Sequence, residues 1–426
     1  MMKKKILRRL ALFAALLLTL LLTGCLRGVD EPPKPDGTQS ENPPSEEPLP
    51  ETPEPEPQTE PEPENPVIPE PEPEPVNPVI PEPEPEPLPD PDPIEVALAD
   101  MTLREKLGQL FIAAYDRNTA PGNAAEYALG GYILFAKDFE TETPESLRAA
   151  LDALQQSSRY GMIFGVDEEG GTVTRISRYT QYRNARFDSP RDLYAWGGLD
   201  ALRADTTEKA ALLRRLGLNM NFAPVADIST GESDFMYDRS LGLEPEQTGE
   251  AVCAIIDTAR DGGVASVVKH FPGYGAVADT HTGMAYDGRS LSELQARDLI
   301  PFARAMEDSV GAVMVSHIVT AALDESRPAS VSPAVMRYLR ENMGWNGVIM
   351  TDDTAMAGLL DYCAGETSGS AALEALLAGA DMICCSNWAE QYPAVWAAVE
   401  DGRLTEERIN ESAARVLRLK KDMGLW

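Results

Sequence analysis

GVIMTDDTAM, residues 347–356, sets an apolar run, Val348-Ile349-Met350, directly before Thr351 and two adjacent aspartates, Asp352 and Asp353. An apolar run without alternating polar residues is buried on both faces, the pattern of a strand inside a parallel sheet. The pattern recurs in LFIAA from Leu110, YILF from Tyr132, MIFGV from Met162, MNFAPVA from Met220, ASVVK from Ala265, AVMVS from Ala312 and DMICC from Asp381, eight runs in all. Amphipathic stretches such as TPESLRAALDALQQSSR, KAALLRRLG and SGSAALEALLAGA lie between them. Eight buried strands alternating with helices over ~250 residues or more predict an α/β fold, a (β/α)8 TIM-type barrel. An open doubly wound sheet is the architectural alternative.

The strand ends carry the next signal. The runs finish at Asp167, Asp227, Lys269-His270, Ser316-His317, Asp352-Asp353 and Ser386-Asn387. A charge at the end of a buried strand is costly unless it faces a site or solvent. In a barrel, all these ends share one rim, where active sites sit. Of Asp352 and Asp353, one points into the barrel mouth and the other away. Asp352 is expected to carry chemistry, as nucleophile, base or metal ligand, and Asp353 to cap the next helix.

The chain before residue 94 reads differently. Lys3, Lys4, Lys5, Arg8 and Arg9 precede an apolar run, Leu10–Leu22, too short to span the ~30 Å hydrocarbon layer. That is the pattern of a secretory signal peptide, expected over residues 1–24. Its end, Leu22-Thr23-Gly24-Cys25, resembles the lipobox of bacterial lipoproteins, which implies lipidation of Cys25. An uncleaved signal anchor is the alternative. Residues 25–93 are expected to be a lipidated N-terminus and a disordered Pro/Glu-rich linker. NPVIPEPEPEP occurs from Asn65 and again from Asn77, and residues 32–93 hold 25 of the 35 prolines. Such a segment buries too little apolar surface to offset its conformational entropy, and proline with like-charged glutamate stiffens it. A catalytic domain is expected over residues 94–426, held off a membrane surface and projecting into a cell wall.

The net charge is −32, and more than half of it lies in the Pro/Glu segment. No basic footprint for nucleic acid remains. Beyond Cys25 the cysteines are Cys253, Cys363, Cys384 and Cys385, with no CxxC and no zinc spacing, so free thiols are expected. No metal or cofactor is expected. A metal hydrolase built from His270, His281, His317 and Asp352 is conceivable, but no two histidines have close ligand spacing.

VVKHFPGYGAVADTHTG, residues 267–283, holds two of the three histidines. Lys269 and His270 end a strand, and Pro272-Gly273-Tyr274-Gly275 is a turn. Asp279 lies two positions before His281, close enough for the carboxylate to orient the imidazole and stabilise its protonated form. With a reference pKa near ~6.5, such a histidine suits general acid/base work. An ordinary loop histidine capped by a neighbour fits the same residues.

These motifs, with MTLREKLGQLF, GYILFAKDF, GVDEEGGTVTRI, NFAPVADI, DRSLG, MVSHI and GVIMTDDTAM, fall in order across residues 97–423. The chain resembles family 3 glycoside hydrolases of the bacterial exo-β-N-acetylglucosaminidase type. The resemblance implies a nucleophile at Asp352 and an acid/base at His281 oriented by Asp279. It implies sugar-holding residues at Asp167, Arg175, Arg239, Lys269 and His270. It further implies a retaining mechanism through a covalent glycosyl-enzyme, with histidine in place of the usual acid carboxyl. The substrates implied are N-acetylglucosamine-containing glycans such as muropeptides and chitooligosaccharides, cleaved by a monomer. Many family 3 β-glucosidases take the acid/base carboxylate from a second domain. Here the sequence stops at Trp426, shortly after the last helical pattern, so the loop histidine is expected to do that work. One departure is Tyr274, where the family loop commonly has histidine. β-Glucosidase or β-xylosidase activity, phosphorolysis and a catalytically silent wall-sugar-binding lipoprotein are the competing readings.

Overall fold

A computed structural model of the chain describes residues 91–426 other than 276, 278–282, 309 and 367, with backbone alone at residue 366. Cys25, Asp279 and His281 lie outside the described residues. All eight apolar runs form strands: β1 (Phe111–Ala114), β2 (Gly131–Leu134), β3 (Ile163–Val166), β4 (Met220–Asn221), β5 (Ala265–Phe271), β6 (Ala312–Val315), β7 (Val348–Thr351) and β8 (Ile383–Cys385). Each is parallel to its chain neighbours, and β8 returns to pair with β1 through Phe111–Ile383 and Ile112–Cys384. β7 and β8 meet in a parallel bridge, Met350–Met382, which closes the barrel.

Side-chain alternation divides the core. Ile112, Ile133, Ile163, Met220, Phe222, Val267, Met314, Val348, Met350, Met382 and Cys384 fill the barrel interior. Their neighbours, such as Phe111, Ala113, Leu134, Phe164, Val268, Val313 and Ile349, face the surrounding helices in a larger cluster. Burial on both faces is why the strands read as continuous apolar runs. The helices follow local rules: Ser189, Thr143 and Ser370 cap their helices through side-chain oxygens, and Pro144 and Pro190 open theirs. Cys253, Cys384 and Cys385 are free thiols.

The C-terminal helix, Glu406–Asp422, closes the amino-terminal end of the barrel. Val416 and Leu419 join the interior cluster. Asp381, which leads into β8, is buried and accepts from Ser412 Oγ at 2.8 Å and Arg415 Nη1 at 3.1 Å, and it also meets Arg340. On its other face, Leu417 packs with Ile94 and Ala97 of the helix Pro93–Asp100. Asp92 meets Arg418 at 3.2 Å. The chain therefore enters this domain at the end opposite the strand carboxyl ends.

Lys420 is buried at this base and donates to Gln109 Oε1 at 2.6 Å and to the Gly161 carbonyl at 2.8 Å, both neutral. Burial without a carboxylate partner pushes its ammonium down to about 7. Between that value and the unfolded lysine value of ~10.4, the unfolded chain holds a proton that the folded chain lacks. Unfolding then takes up a proton, so this group makes the fold more stable as pH rises through the window. Below it the group is protonated in both states and adds no slope. Urea unfolding of the wild type and Lys420→Met should show a difference that moves in favour of the wild type from pH 7 to 9, by at most about 1.4 kcal/mol per pH unit. A pH-independent difference would contradict this.

Candidate active site

The carboxyl ends of β3, β5 and β7 bring distant residues together. Asp167, Glu169, Thr172, Val173, Arg175, Phe235, Asp238, Arg239, Lys269, His270, Tyr274 and Asp352 line one pocket of about 440 Å³. The five residues expected to hold a sugar, and the expected nucleophile, all line it. Ser386 and Asn387 do not; Asn387 Oδ1 instead accepts from Gln391 at 2.6 Å.

Two consecutive residues of β5 face this pocket. In a regular strand Lys269 and His270 would point to opposite faces. Here the pairing of β5 with β6 shifts register between Val268 and Phe271, and the Lys269-His270 peptide inside that irregular stretch is cis. Beyond them, Gly273 and Gly275 have φ of 116° and 56°. A Cβ on Gly273 would fall 2.7 Å from the Asp298 side chain, and one on Gly275 would fall 2.6 Å from Arg289. Only glycine fits both the backbone and the space. Arg289, held by Asp287 and Asp298, also donates to the Gly273 carbonyl at 3.4 Å and fastens the turn from below.

The pocket floor is a chain of alternating charges. Lys269 Nζ lies 2.7 Å from Asp167 Oδ1 and 2.7 Å from Glu169 Oε1. Arg239 grips Glu169 bidentately, Nε to Oε2 at 2.9 Å and Nη2 to Oε1 at 2.7 Å. Arg239 Nη2 reaches His270 Nε2 at 3.3 Å, and His270 Nδ1 meets Asp227 Oδ2 at 2.6 Å. Arg175 stands 3.7 Å from Asp167, and its Nε is buried with no partner among the described residues.

Electrostatics keeps the carboxylates charged. Burial would raise Glu169, but Arg239 and Lys269 outweigh it and hold the carboxyl far below its ordinary value. Lys269 is raised: burial alone would lower it, and Asp167 and Glu169 reverse that. Asp352 is likewise held below its ordinary value. Burial opposes ionisation there, and the Asp353 amide and Lys269 favour it. The Asp353 N–H donates to Asp352 Oδ1 at 2.8 Å.

Several residues take roles that the sequence reading did not give them. Asp353 does not cap the next helix, which begins at Ala357. Its carboxylate accepts from the Ala355 amide at 3.0 Å and from the Ser386 amide at 2.9 Å, joining the ends of β7 and β8. His317 supports this turn from behind: Nε2 meets the Asp353 carbonyl at 3.0 Å and Nδ1 meets Ser330 Oγ at 2.7 Å. Tyr274 is buried and sets its ring edge-on to His270, with centroids 5.2 Å apart, beside Phe235 at 5.7 Å. Glu168 accepts from the Arg175, Ile176 and Ser177 amides at 2.8, 2.7 and 3.2 Å, shaping the turn that presents Arg175. Glu169 was visible only as a letter in DEEGG, and Asp227 only as one strand end among several, with no sign that it would pair with a histidine instead of lining the pocket. Their partners are 70 and 43 residues away, beyond any local pattern.

A closed parallel barrel with a charged pocket at the carboxyl ends of its strands is the architecture of a barrel enzyme. The glycosyl hydrolase family 3 N-terminal domain matches residues 102–419, and the chain belongs to that family. A beta-hexosaminidase of Methylococcus capsulatus is 35% identical over 280 residues, which is 64% of this chain and 80% of that protein. A family 3 beta-N-acetylglucosaminidase structure from Paenibacillus sp. superposes with a TM-score of 0.70 at 31% identity, over 76% of this chain and 63% of that one. A family 3 glycosyl hydrolase structure from Mycobacterium smegmatis gives 0.67 at 30% identity, over 76% and 98% of the two chains.

Glu169 offers a direct test of the floor. Glu169→Gln removes the anion shared by Lys269 and Arg239 and leaves two buried cations short of charge. Urea unfolding should lose about 3–5 kcal/mol, as for other broken buried pairs. A midpoint within error of the wild type would mean that the two cations do not need this carboxylate.

Proposed function

We propose that this family 3 glycoside hydrolase is a retaining exo-glycosidase that removes terminal β-linked N-acetylglucosamine from peptidoglycan fragments or related oligosaccharides. The observation that carries the reading is the placement of Asp352. It is an ionised carboxylate at the end of β7, lining one pocket with Asp167, Arg175, Arg239, Lys269 and His270. The names of the relatives supply the sugar. Fork-shaped guanidinium groups and an ammonium can hold sugar hydroxyls with directional, charge-assisted hydrogen bonds.

In the proposed reaction an Asp352 oxygen attacks the anomeric carbon as the bond to the leaving oxygen breaks. The leaving oxygen takes its proton from His281. Water then gives a proton back to His281 and its oxygen to the anomeric carbon, releasing Asp352 and a sugar of retained configuration. Glu169 and Asp352 are held ionised and Asp167 is ion-paired to Lys269, so none of these carboxyls carries a proton to donate. That supports assigning the acid to the loop histidine, with Asp279 orienting it.

We further propose that Cys25 is lipidated and that the Pro/Glu-rich segment tethers a monomeric domain at the outer face of a membrane, where wall glycans are the substrate. The helix Pro93–Asp100 packs at the barrel base, which supports attachment of a tether there.

Nitrophenyl β-N-acetylglucosaminide should be cleaved faster than the glucoside or xyloside, with a product of retained anomeric configuration by NMR and no dependence on phosphate. Asp352→Asn should fall below about one-thousandth of wild-type turnover. His281→Ala should slow poorly activated glycosides far more than those with good leaving groups, and equal losses on both would count against its acid role. Sugar binding without turnover in the wild type would refute the enzyme reading. Replacing Cys25 with serine should release the protein from membranes, and unchanged membrane retention would rule out the lipid anchor.

A further inference from the structure

We propose that Asp227 is a positioning residue of this site: it holds His270 as the neutral tautomer protonated at Nδ1, and through His270 it fixes Arg239. Asp227 is fully buried in the segment that follows β4 and lines no part of the pocket. Its carboxylate accepts three hydrogen bonds. Oδ2 takes the His270 amide at 3.1 Å and His270 Nδ1 at 2.6 Å, and Oδ1 takes the Tyr274 amide at 2.7 Å. An ionised carboxylate only accepts, so the proton in the Nδ1 contact belongs to the ring.

The other ring nitrogen settles the charge. His270 Nε2 faces Arg239 Nη2 at 3.3 Å. A guanidinium donates, never accepts, and keeps its proton. The contact is a hydrogen bond only if Nε2 offers a lone pair, which makes the imidazole neutral. A second proton would set an N–H against the guanidinium. The other groups around the ring are Lys269 beside it on β5, Asp352 across the pocket and the Tyr274 ring edge. Both nitrogens of His270 are thus committed to protein groups. Arg239, gripped by Glu169 on one side and met by His270 on the other, is immobilised while it lines the pocket. The residue that the family resemblance makes a sugar holder acts here by orienting an arginine. The same carboxylate, through the Tyr274 amide, pins the start of the loop that leads to His281.

Asparagine at 227 reverses the arrangement. The site presents three donors, and an amide has one accepting oxygen and a donating nitrogen. With the amide nitrogen facing the ring, Nδ1 must accept, the proton moves to Nε2, and the N–H then opposes Arg239.

The chain has only three histidines, so imidazole nitrogen NMR on the labelled full-length protein reads this directly. At neutral pH His270 should show a protonated Nδ1 and a bare Nε2. His317 should show the opposite tautomer, since its Nε2 meets the Asp353 carbonyl and its Nδ1 can accept from Ser330. His281→Ala and His317→Gln assign the signals. Asp227→Asn should abolish the His270 pattern and raise KM about a hundredfold with a smaller change in kcat, because the displaced Arg239 belongs to the binding pocket. A wild-type His270 protonated at Nε2, alone or together with Nδ1, overturns the proposal. So does an Asp227→Asn protein that keeps both the wild-type spectrum and the wild-type KM. If Asp227→Asn does not fold, the wild-type spectrum still decides. The kinetic arm rests on the proposed glycosidase reading and the spectroscopic arm does not, so an inactive wild type would refute the activity and leave the tautomer to be judged separately.

Discussion

One buried carboxylate, that of Glu169, is shared between Lys269 and Arg239, and the arrangement of the pocket depends on it. Lys269 is 2% exposed, and an ammonium that deep is stable only with charge partners around it. Glu169 and Asp167 supply two, and Arg239 closes on Glu169 from the other side. Without that anion, two cations would share the floor and repel. With it, both stay in the pocket that Asp352 lines, and Lys269 favours the ionised form of that carboxylate, the form a nucleophile needs. Local positive charge sustains a carboxylate at the mouth of a chain whose formal net charge is −32.

Stability and chemistry are kept at opposite ends of the barrel. At the amino-terminal end, the C-terminal helix plugs the interior with Val416 and Leu419, and three arginines converge on Asp381. At the carboxyl-terminal end the polar groups that would normally be driven to solvent are instead paired with one another. This division lets the mouth hold costly buried charge while the base and the barrel interior contribute the apolar packing that offsets it.

The barrel was legible because its strands announce themselves locally. Burial on both faces removes the polar alternation, and all eight runs proved to be strands. The pocket was legible in part: Asp167, Lys269, His270 and Asp352 stood out as strand ends, Arg175 and Arg239 were reached only through the family resemblance, and the fold brings all six to one pocket. Asp353 was misjudged because a carboxylate after a strand looks the same whether it caps a helix or ties two strands together. Tyr274 had no explanation in the sequence. In the fold it is a buried ring packed against His270, with its amide held by Asp227.

The sequence by itself determined which segments are buried and where charge must meet a site, because both are written in the spacing of neighbouring residues. The tertiary structure alone decided who pairs with whom. Lys269 and Asp167 are 102 positions apart. A carboxylate carries no local mark that it will be a partner for lysine, for arginine or for a histidine ring. That choice depends on which strand ends the closed barrel brings within hydrogen-bonding distance.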